Sequence, residues 1–311
     1  MTQSELVPLD GVASSLLRDS QMVTPSVSEI DSQLDGGMAR DASDLAAAAA
    51  TRSGVTVRHL ASVDDMNNAV DLFDAVWHPT DGSSIMNVEL LQALNSTGSY
   101  VAGVFDGEAM LGACAAIWGR PIAHTLHSHI TGVLGSARGR DIGFALKLHQ
   151  RAWAIKQHVQ TITWTFDPLV RRNAYFNITK LGGFARTYYV NHYGPMRDAL
   201  NGNDDSDRLK LEWDITKREV GAVHSRDLST VQAVLEVGPG DVPERSGSND
   251  PMVFVGIPAD TEAIRQAAPD LAMRWRRVMR ETLLDELSQG GRIDAFDHER
   301  GGYIVTRGQH S

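Results

Sequence analysis

Val133-Leu-Gly-Ser-Ala-Arg-Gly-Arg-Asp-Ile-Gly-Phe-Ala145 runs from an apolar strand end, through a small and doubly basic turn, into an amphipathic helix. Apolar residues return at Ile142, Ala145, Leu146, Ala152 and Trp153, a near-helical spacing. The turn residues therefore fall at a helix start, where unpaired N–H groups and the positive dipole end point outward. A phosphate set there meets several N–H donors at once, with Arg138 and Arg140 adding charge-assisted bonds. Gly139 and Gly143 carry no Cβ, which lets an anion approach the main chain. An ordinary strand-to-helix turn with solvated arginines has the same pattern and stays open on this segment alone. Two other phosphate motifs fail here. No Gly-Lys-Ser/Thr triplet follows Gly139, and Gly135, Gly139 and Gly143 lie four apart rather than as Gly-x-Gly-x-x-Gly.

The neighbouring sequence adds a second pattern. Arg140-x-x-Gly143-x-Ala145 fits Arg/Gln-x-x-Gly-x-Gly/Ala, and about thirty residues on Asn173-Ala-Tyr-Phe-Asn-Ile-Thr-Lys-Leu-Gly-Gly-Phe184 reads as a helix ending in a Lys-Leu-Gly turn. In this order, with a strand between, the pair resembles the signatures of the GNAT superfamily of acyl-CoA-dependent N-acyltransferases. The resemblance spans about residues 55 to 215. It implies an α/β (α+β) fold with a mixed, mostly antiparallel, splayed sheet flanked by helices, and acetyl-CoA or another acyl-CoA as co-substrate. It further implies that Arg138, Gly139, Arg140, Asp141, Ile142, Gly143, Phe144 and Ala145 hold the CoA pyrophosphate, and that the main chain of Val133 and Leu134 pairs with pantetheine. Asn173 and Asn177, one helical turn apart, would bond the cofactor arm, although Asn173 also suits a helix cap.

Composition bounds the rest. The 311 residues are 42% hydrophobic and 22% charged, enough for one large or two modest globular units with a real core. A formal charge of −10 argues against nucleic acid and against an anionic membrane as partners. The single cysteine, Cys114, lies in an apolar strand-like run and excludes a disulfide scaffold. No apolar stretch approaches the roughly twenty residues that cross a bilayer, and no secretory pattern opens the chain, so a cytoplasmic protein is expected. A homodimer is left open.

Residues 1 to 53 hold no aromatic residue and many acids, and read as a disordered tail with at most a transient helix through the alanines at 46 to 50. From Val55 the pattern is β-α-α-β-β-β-α-β-α-β, including a hairpin around Asp106-Gly107 and a closing strand from Leu209 to Ile215, which is the order of the GNAT core. Residues 54 to 215 form that core, 216 to 250 read as a linker, and 251 to 308 as a smaller β-α-β-β lobe. The lobe resembles half a GNAT-type sheet packed beside the first core. Its long helix carries Leu271, Trp275, Val278, Met279 and Leu283 on one side, with Arg274, Arg276, Arg277 and Arg280 expected in solvent or paired with Asp270 and Glu281.

Direct attack of an amine on a thioester needs a base, donors for the oxyanion and an acid for the thiolate. His127, His129 and Thr131 alternate on the strand before the turn and should share one face. The family's base position, counted back from Arg140, falls on His129, whose unperturbed pKa suits the task. The histidines are not expected to hold a metal, because no carboxylate or cysteine completes a ligand set. The family's acid, a tyrosine before the Gly-Phe turn, is replaced by Thr179 or Ile178, so Tyr188 and Tyr193, with Tyr175 and Tyr189, become candidates beside packing roles and protonation of the thiolate by water. Trp77, His78, Asn191 and Arg208 are expected to line the acceptor groove, with Arg208 suited to a carboxylate. Tyr188-x-x-Asn191-His-Tyr-Gly, Ser206-Asp207-Arg208 and the Arg-Trp-Arg-Arg helix resemble a bacterial two-part GNAT group, some of whose members are associated with N-succinyl amino acid metabolism. The expected activity is transfer of an acetyl or other short acyl group to the amine of a small molecule. The alternatives are a non-catalytic acyl-CoA sensor and a protein N-acetyltransferase.

Overall fold

The structure, a computed structural model, describes residues 27–80, 82–196, 204–221 and 228–308. Twelve strands form one sheet in the order β1-β2-β3-β4-β5-β7-β6-β11-β12-β10-β8-β9. The first seven are β1 (Thr56–His59), β2 (Val101–Asp106), β3 (Ala109–Trp118), β4 (Thr125–Val133), β5 (Thr161–Phe166), β6 (Phe184–Tyr189) and β7 (Arg208–Asp214). They follow the expected core order, and their helices start where local chemistry allows. In α2 (Val63–Trp77) the Ser62 side chain accepts from the Asp65 N–H, and in α3 (Val88–Ser96) Asn87 accepts from Leu90 N–H. Both helices pack over β2, β3 and β4 through Met66, Phe73, Leu91 and Leu94.

The opposite face is buried by α4 (Ile142–Lys156) and by a helix the sequence reading did not anticipate. The expected disordered tail is helical over Val27–Arg52, here α1, and Ala42, Ala46 and Ala49 are buried against α4. The alanine run supplies both helix propensity and a flat surface for close approach, which outweighs the lack of large apolar residues. Residues 1 to 26 lie outside the described residues. Covered by α1 on one side and the sheet on the other, α4 buries polar residues as well: Lys147, Gln150 and Arg151 are all 4% exposed or less.

The second half corrects two expectations. Residues 216 to 250 are not merely a linker, since they contain β8 (Ala233–Val237) and β9 (Pro243–Arg245). The remainder comprises β10 (Met252–Gly256), α6 (Thr261–Ala267), α7 (Pro269–Ser288), β11 (Arg292–Asp297) and β12 (Gly302–Thr306). This half continues the same sheet, joined edge to edge where Ala185 of β6 pairs with Ile293 of β11. Its order β8-β10-β12-β11 reproduces β4-β5-β7-β6, with one parallel pair followed by two antiparallel pairs in both. The two halves thus meet about a pseudo-two-fold axis between β6 and β11.

Buried ion pairs fasten the halves. Between β5 and α5 (Arg171–Ala174, continued by a π turn over Tyr175–Lys180), Asp167 takes a two-pronged bond from Arg276 of α7, both at 2.7 Å. Arg276 also reaches Asp204 at 2.8 Å, and Arg280 grips Asp207 at 2.8 and 2.9 Å and Asp205 at 2.6 Å. The arginines expected to face solvent or the acids of their own helix therefore divide: Arg274 and Arg277 are exposed, while Arg276 and Arg280 hold carboxylates of the first core. Replacing Arg276 with Ala leaves the buried Asp167 and Asp204 with only the longer contacts of Arg265 at 3.7 and 3.5 Å, and should lower stability by roughly 3 kcal/mol, the lower end of the cost of breaking a buried pair. Urea unfolding of Arg276→Ala and Arg274→Ala checks this. Equal losses in the two variants would show that the pair is not holding the halves together.

Candidate functional site

The anion turn has the geometry of a cradle. A short 3₁₀ turn over Gly135–Ala137 leads from β4 to Arg138, after which Gly139 (φ 85°) and Asp141 (φ 56°) adopt the left-handed conformation. Gly139 accepts this without strain, whereas Asp141 bears it at the position just before α4. Among the described residues the N–H groups of Gly139, Arg140, Asp141, Ile142 and Gly143 have no protein acceptor, while Phe144 and Ala145 N–H already bond Asp141 O. Consecutive donors at a turn with alternating backbone hand form an anion-binding concavity. The two arginines separate here. Arg140 is engaged, donating to Ser53 O (3.1 Å) and Gly54 O (3.3 Å) at the end of α1 and pairing with Asp106 (3.0 Å). Arg138 is exposed and has no such partner. Lys180, at the end of α5, crosses to Asp141 Oδ1 at 2.5 Å and brings a further cation to the cradle.

Upstream of the turn the sheet opens. β4 pairs with β5 only at Thr125↔Thr161, Leu126↔Ile162 and His127↔Thr163; beyond His127, β4 bonds β3 alone and β5 bonds β7 alone. This leaves the β5-facing edge of β4 unpaired as far as Val133, and Val133 and Leu134 carry that edge into the cradle. A splayed parallel pair ending at a helix-start anion site is the arrangement expected from the resemblance. The fold is of the GNAT type.

The splay is irregular at one decisive residue. Ala115 pairs with Ile130 but Ala116 pairs with Ser128, so His129 is the extra residue of a β-bulge. The bulge corrects the expected alternation. His127 and His129 stay together, their ring centroids 6.2 Å apart, but Thr131 turns to the α4 face and bonds Cys114 Sγ at 3.1 Å. One extra residue shifts the side-chain parity of everything after it. His127 reaches Thr163 Oγ1 at 3.4 Å. Burial pulls the His129 imidazole below its ordinary value, and burial plus the neighbouring His129, Lys147, Lys210 and His192 pulls His127 down to about 4. Both rings are unprotonated at neutral pH.

The remaining expected residues distribute unevenly. Asn173 is exposed at the start of α5, and its N–H donates to Val170 O rather than its side chain capping the helix. Asn177 lies in the π turn, buried, and its Oδ1 accepts from Trp164 Nε1 at 3.2 Å. Trp77 packs against Gly132 of β4, where a Cβ would come within 2.9 Å of the indole, and His78 ends α2 in left-handed conformation. Tyr193 is 45% exposed and bonds Thr165 Oγ1 of β5 at 2.7 Å. Tyr188 is not placed to act as an acid: it is buried, gives its hydroxyl to Asp207 at 2.6 Å, and burial with that carboxylate pushes its pKa above the ordinary value. Asn191 is spent on its own turn, accepting from Ser206 N and Oγ at 3.2 Å each. Arg208 is also turned inward, donating to Asp207 O at 2.8 Å and Met196 Sδ at 2.8 Å. Among the described residues no group of His, Cys, Asp or Glu is disposed to hold a metal ion, and no helix is long and apolar enough to cross a membrane.

Sequence reasoning overlooked Lys147, Lys180, His192 and Lys210. Lys147 stands one turn after Gly143 in an otherwise apolar stretch, a signal legible as an interrupted apolar face. Lys210 and His192 had no comparable signal, because only the folding of β7 and its loop brings them towards His127.

No family model and no curated protein matches the sequence. Among solved structures the chain is similar to the ribosomal-protein-S18-alanine N-acetyltransferase of Escherichia coli, at 13% identity over 56% of this chain and 99% of that one, with a TM-score of 0.40. It is likewise similar to the ribosomal-protein-S5-alanine acetyltransferase of Vibrio fischeri (16%, 53% and 96%, 0.44). A third is the IAA acetyltransferase of Bacillus cereus (14%, 51% and 99%, 0.37).

Two half-buried histidines set a pH dependence of stability. His127 and His149 each lie at about 4 in the folded chain, against 6.5 when unfolded. Between these values the unfolded chain binds more protons, so stability falls as the pH drops from 6.5 towards 4. The melting temperature should be lower at pH 5 than at pH 7.5, and His127→Gln should flatten part of that slope. Equal slopes in the two proteins would remove His127 from the explanation.

Proposed function

We propose that the chain is an N-acyltransferase that moves an acetyl or other short acyl group from acyl-CoA to the amine of a small molecule by direct attack. The observation that carries this reading is the continuity of the open edge of β4 with the cradle of free N–H groups at 139–143. An extended amide-bearing arm suits the strand edge, and a diphosphate suits the turn. Arg138 and Lys180 would add charge to the diphosphate, and Arg140 would hold the turn in shape through Asp106 and the end of α1. His129, unprotonated and on the bulge, is the proposed base, and the irregular main chain beside it supplies the donors that a developing oxyanion needs.

The acceptor side favours a small or anionic acceptor over a lysine-rich peptide. Lys210 acts electrostatically on His127 and, with both strand histidines unprotonated, is a cation there that would repel further positive charge. Tyr193 and Trp77 flank this region, and the expected groove residues His78 and Asn191 shape its loops. The locked Tyr188 and the residues at Thr179 and Ile178 leave the family's acid position without a phenol, which is the observation favouring a non-catalytic CoA sensor as the second reading, and Tyr193, bonded to Thr165, is the phenol that remains accessible.

Thiol release from acetyl-CoA and succinyl-CoA should be measured against a panel of small amines and peptide N-termini. Turnover with small amines is expected; CoA binding without turnover on any amine would leave the sensor, and exclusive use of peptides would replace the small-molecule acceptor. Arg138→Ala should weaken CoA binding by about tenfold or more, the scale of a charge-assisted bond, and by more than Arg140→Ala does. The reverse order would misassign the cradle. His129→Ala should lower kcat by about a hundredfold, the lower range for a general base, with CoA affinity kept. The acidic limb of the parent pH profile should lie below the ordinary histidine value and vanish in the variant.

A further inference from the structure

We propose that Lys147 supplies the positive charge and the proton that receive the thiolate at the apex of the splay, the role that Thr179, Ile178 and the locked Tyr188 do not fill. This assignment rests on the acyl-CoA reading above. Its basis is where the ammonium sits. The last rung joining β4 and β5 is His127↔Thr163, so Ser128 and Trp164 are the first residues beyond it on their respective strands. Lys147 touches both: Nζ donates to Ser128 Oγ at 2.7 Å and stands 4.2 Å from the centroid of the Trp164 ring. One side chain from α4 thus bridges the two strands where they part.

The company of this cation is unusual. Lys147 is 4% exposed, and its remaining bond is to a neutral group, Gln150 Oε1 at 3.2 Å. No carboxylate pairs with it among the described residues. The titratable groups facing it are Cys114 of β3 and His127 of β4. The Cys114 thiol is itself held by Thr131 (3.1 Å) and Gln150 (3.3 Å), with Ser128 Oγ at 3.6 Å. A buried ammonium without an anion is costly. The cost has a purpose if negative charge arises beside it during reaction. Lys147 also shares a face of α4 with Gly143, one turn earlier, so the face that starts at the cradle reaches the ammonium next.

The step balances without any further reactant. The amine nitrogen bonds the acyl carbon and gives its proton to His129; the carbon–sulfur bond breaks and its electron pair goes to sulfur; Lys147 passes a proton to that sulfur and becomes a neutral amine. His129 then loses its proton to solvent and Lys147 regains one. Burial pushes the Lys147 ammonium down to about 8, close to an ordinary thiol at about 8.5, so the transfer is nearly matched.

The test titrates the thiol of CoA bound to the full chain, by the ultraviolet absorbance of the thiolate. In the parent protein the bound thiol should titrate about one unit below free CoA, a tenfold larger thiolate fraction at a given pH. Lys147→Met should bind CoA and return the thiol to its free value, and Lys147→Arg should keep it lowered. A bound thiol in the parent protein that titrates like free CoA overturns the assignment without any variant. The same lowered value in Lys147→Met also overturns it. If the parent protein binds no CoA, the acyl-CoA reading itself fails and this assignment goes with it.

Discussion

The grip of Arg276 and Arg280 on Asp167, Asp204 and Asp207 is the constraint on which the rest of the structure depends. These carboxylates sit beside the strands on the far arm of the splay: Asp167 directly after β5, Asp207 directly before β7 and Asp204 in the segment leading to it. Unpaired, they would be buried anions; paired, they tie that arm to α7 of the second half. Asp207 passes the constraint onward by accepting from Tyr188 and from the Asn191 N–H, which sets the loop that presents His192 and Tyr193. The acceptor side of the candidate site is therefore shaped by a helix from the opposite end of the chain. The second half is less an appendage than the buttress of the first.

A matching constraint acts on the near arm. A parallel pair of strands must part somewhere if a ligand is to lie between them, and the parting exposes main-chain groups that the sheet would otherwise satisfy. Here α4 fills the gap from below with Lys147, which bonds Gln150 of its own helix and Ser128 of β4, and Trp164 is fixed by Asn177 from the π turn of α5. The polar cluster beneath the splay and the π turn beside it are both costly features, of the kind that collects at functional sites. α1 makes the cluster possible, because its alanines cover a face of α4 that would otherwise meet water.

Much of this was legible in the residues. The alternation and helical spacing from Val55 onward yield the element order, and the small, basic turn at 135–141 reads as an anion site because helix starts expose N–H groups whatever surrounds them. The apolar stripe of α7 was likewise readable, with Trp275, Met279 and Leu283 buried as its period requires. What escaped were features defined by a distant partner. The alanine run before β1 looks featureless until α4 lies against it. Ala233–Val237 reads as part of a linker until β9 and β10 pair with it.

The sequence by itself determined the periodicities and the glycine-bearing turn that leads into α4, because these follow from interactions within a few residues of chain. Only the tertiary structure decided which arginine of the turn stays free, since Asp106 and the carbonyls of Ser53 and Gly54 reach Arg140 from far along the chain. It also decided that Thr131 leaves the face of His127 and His129, because a bulge is set by the register against β3 and no local preference marks it. The same holds for Tyr188, Asn191 and Arg208, which look available for chemistry in isolation and are consumed by Asp207 and Ser206 once the loop before β7 folds back. Hydrogen-bonding capacity is a property of a residue, but whether it is already used depends on what packs against it.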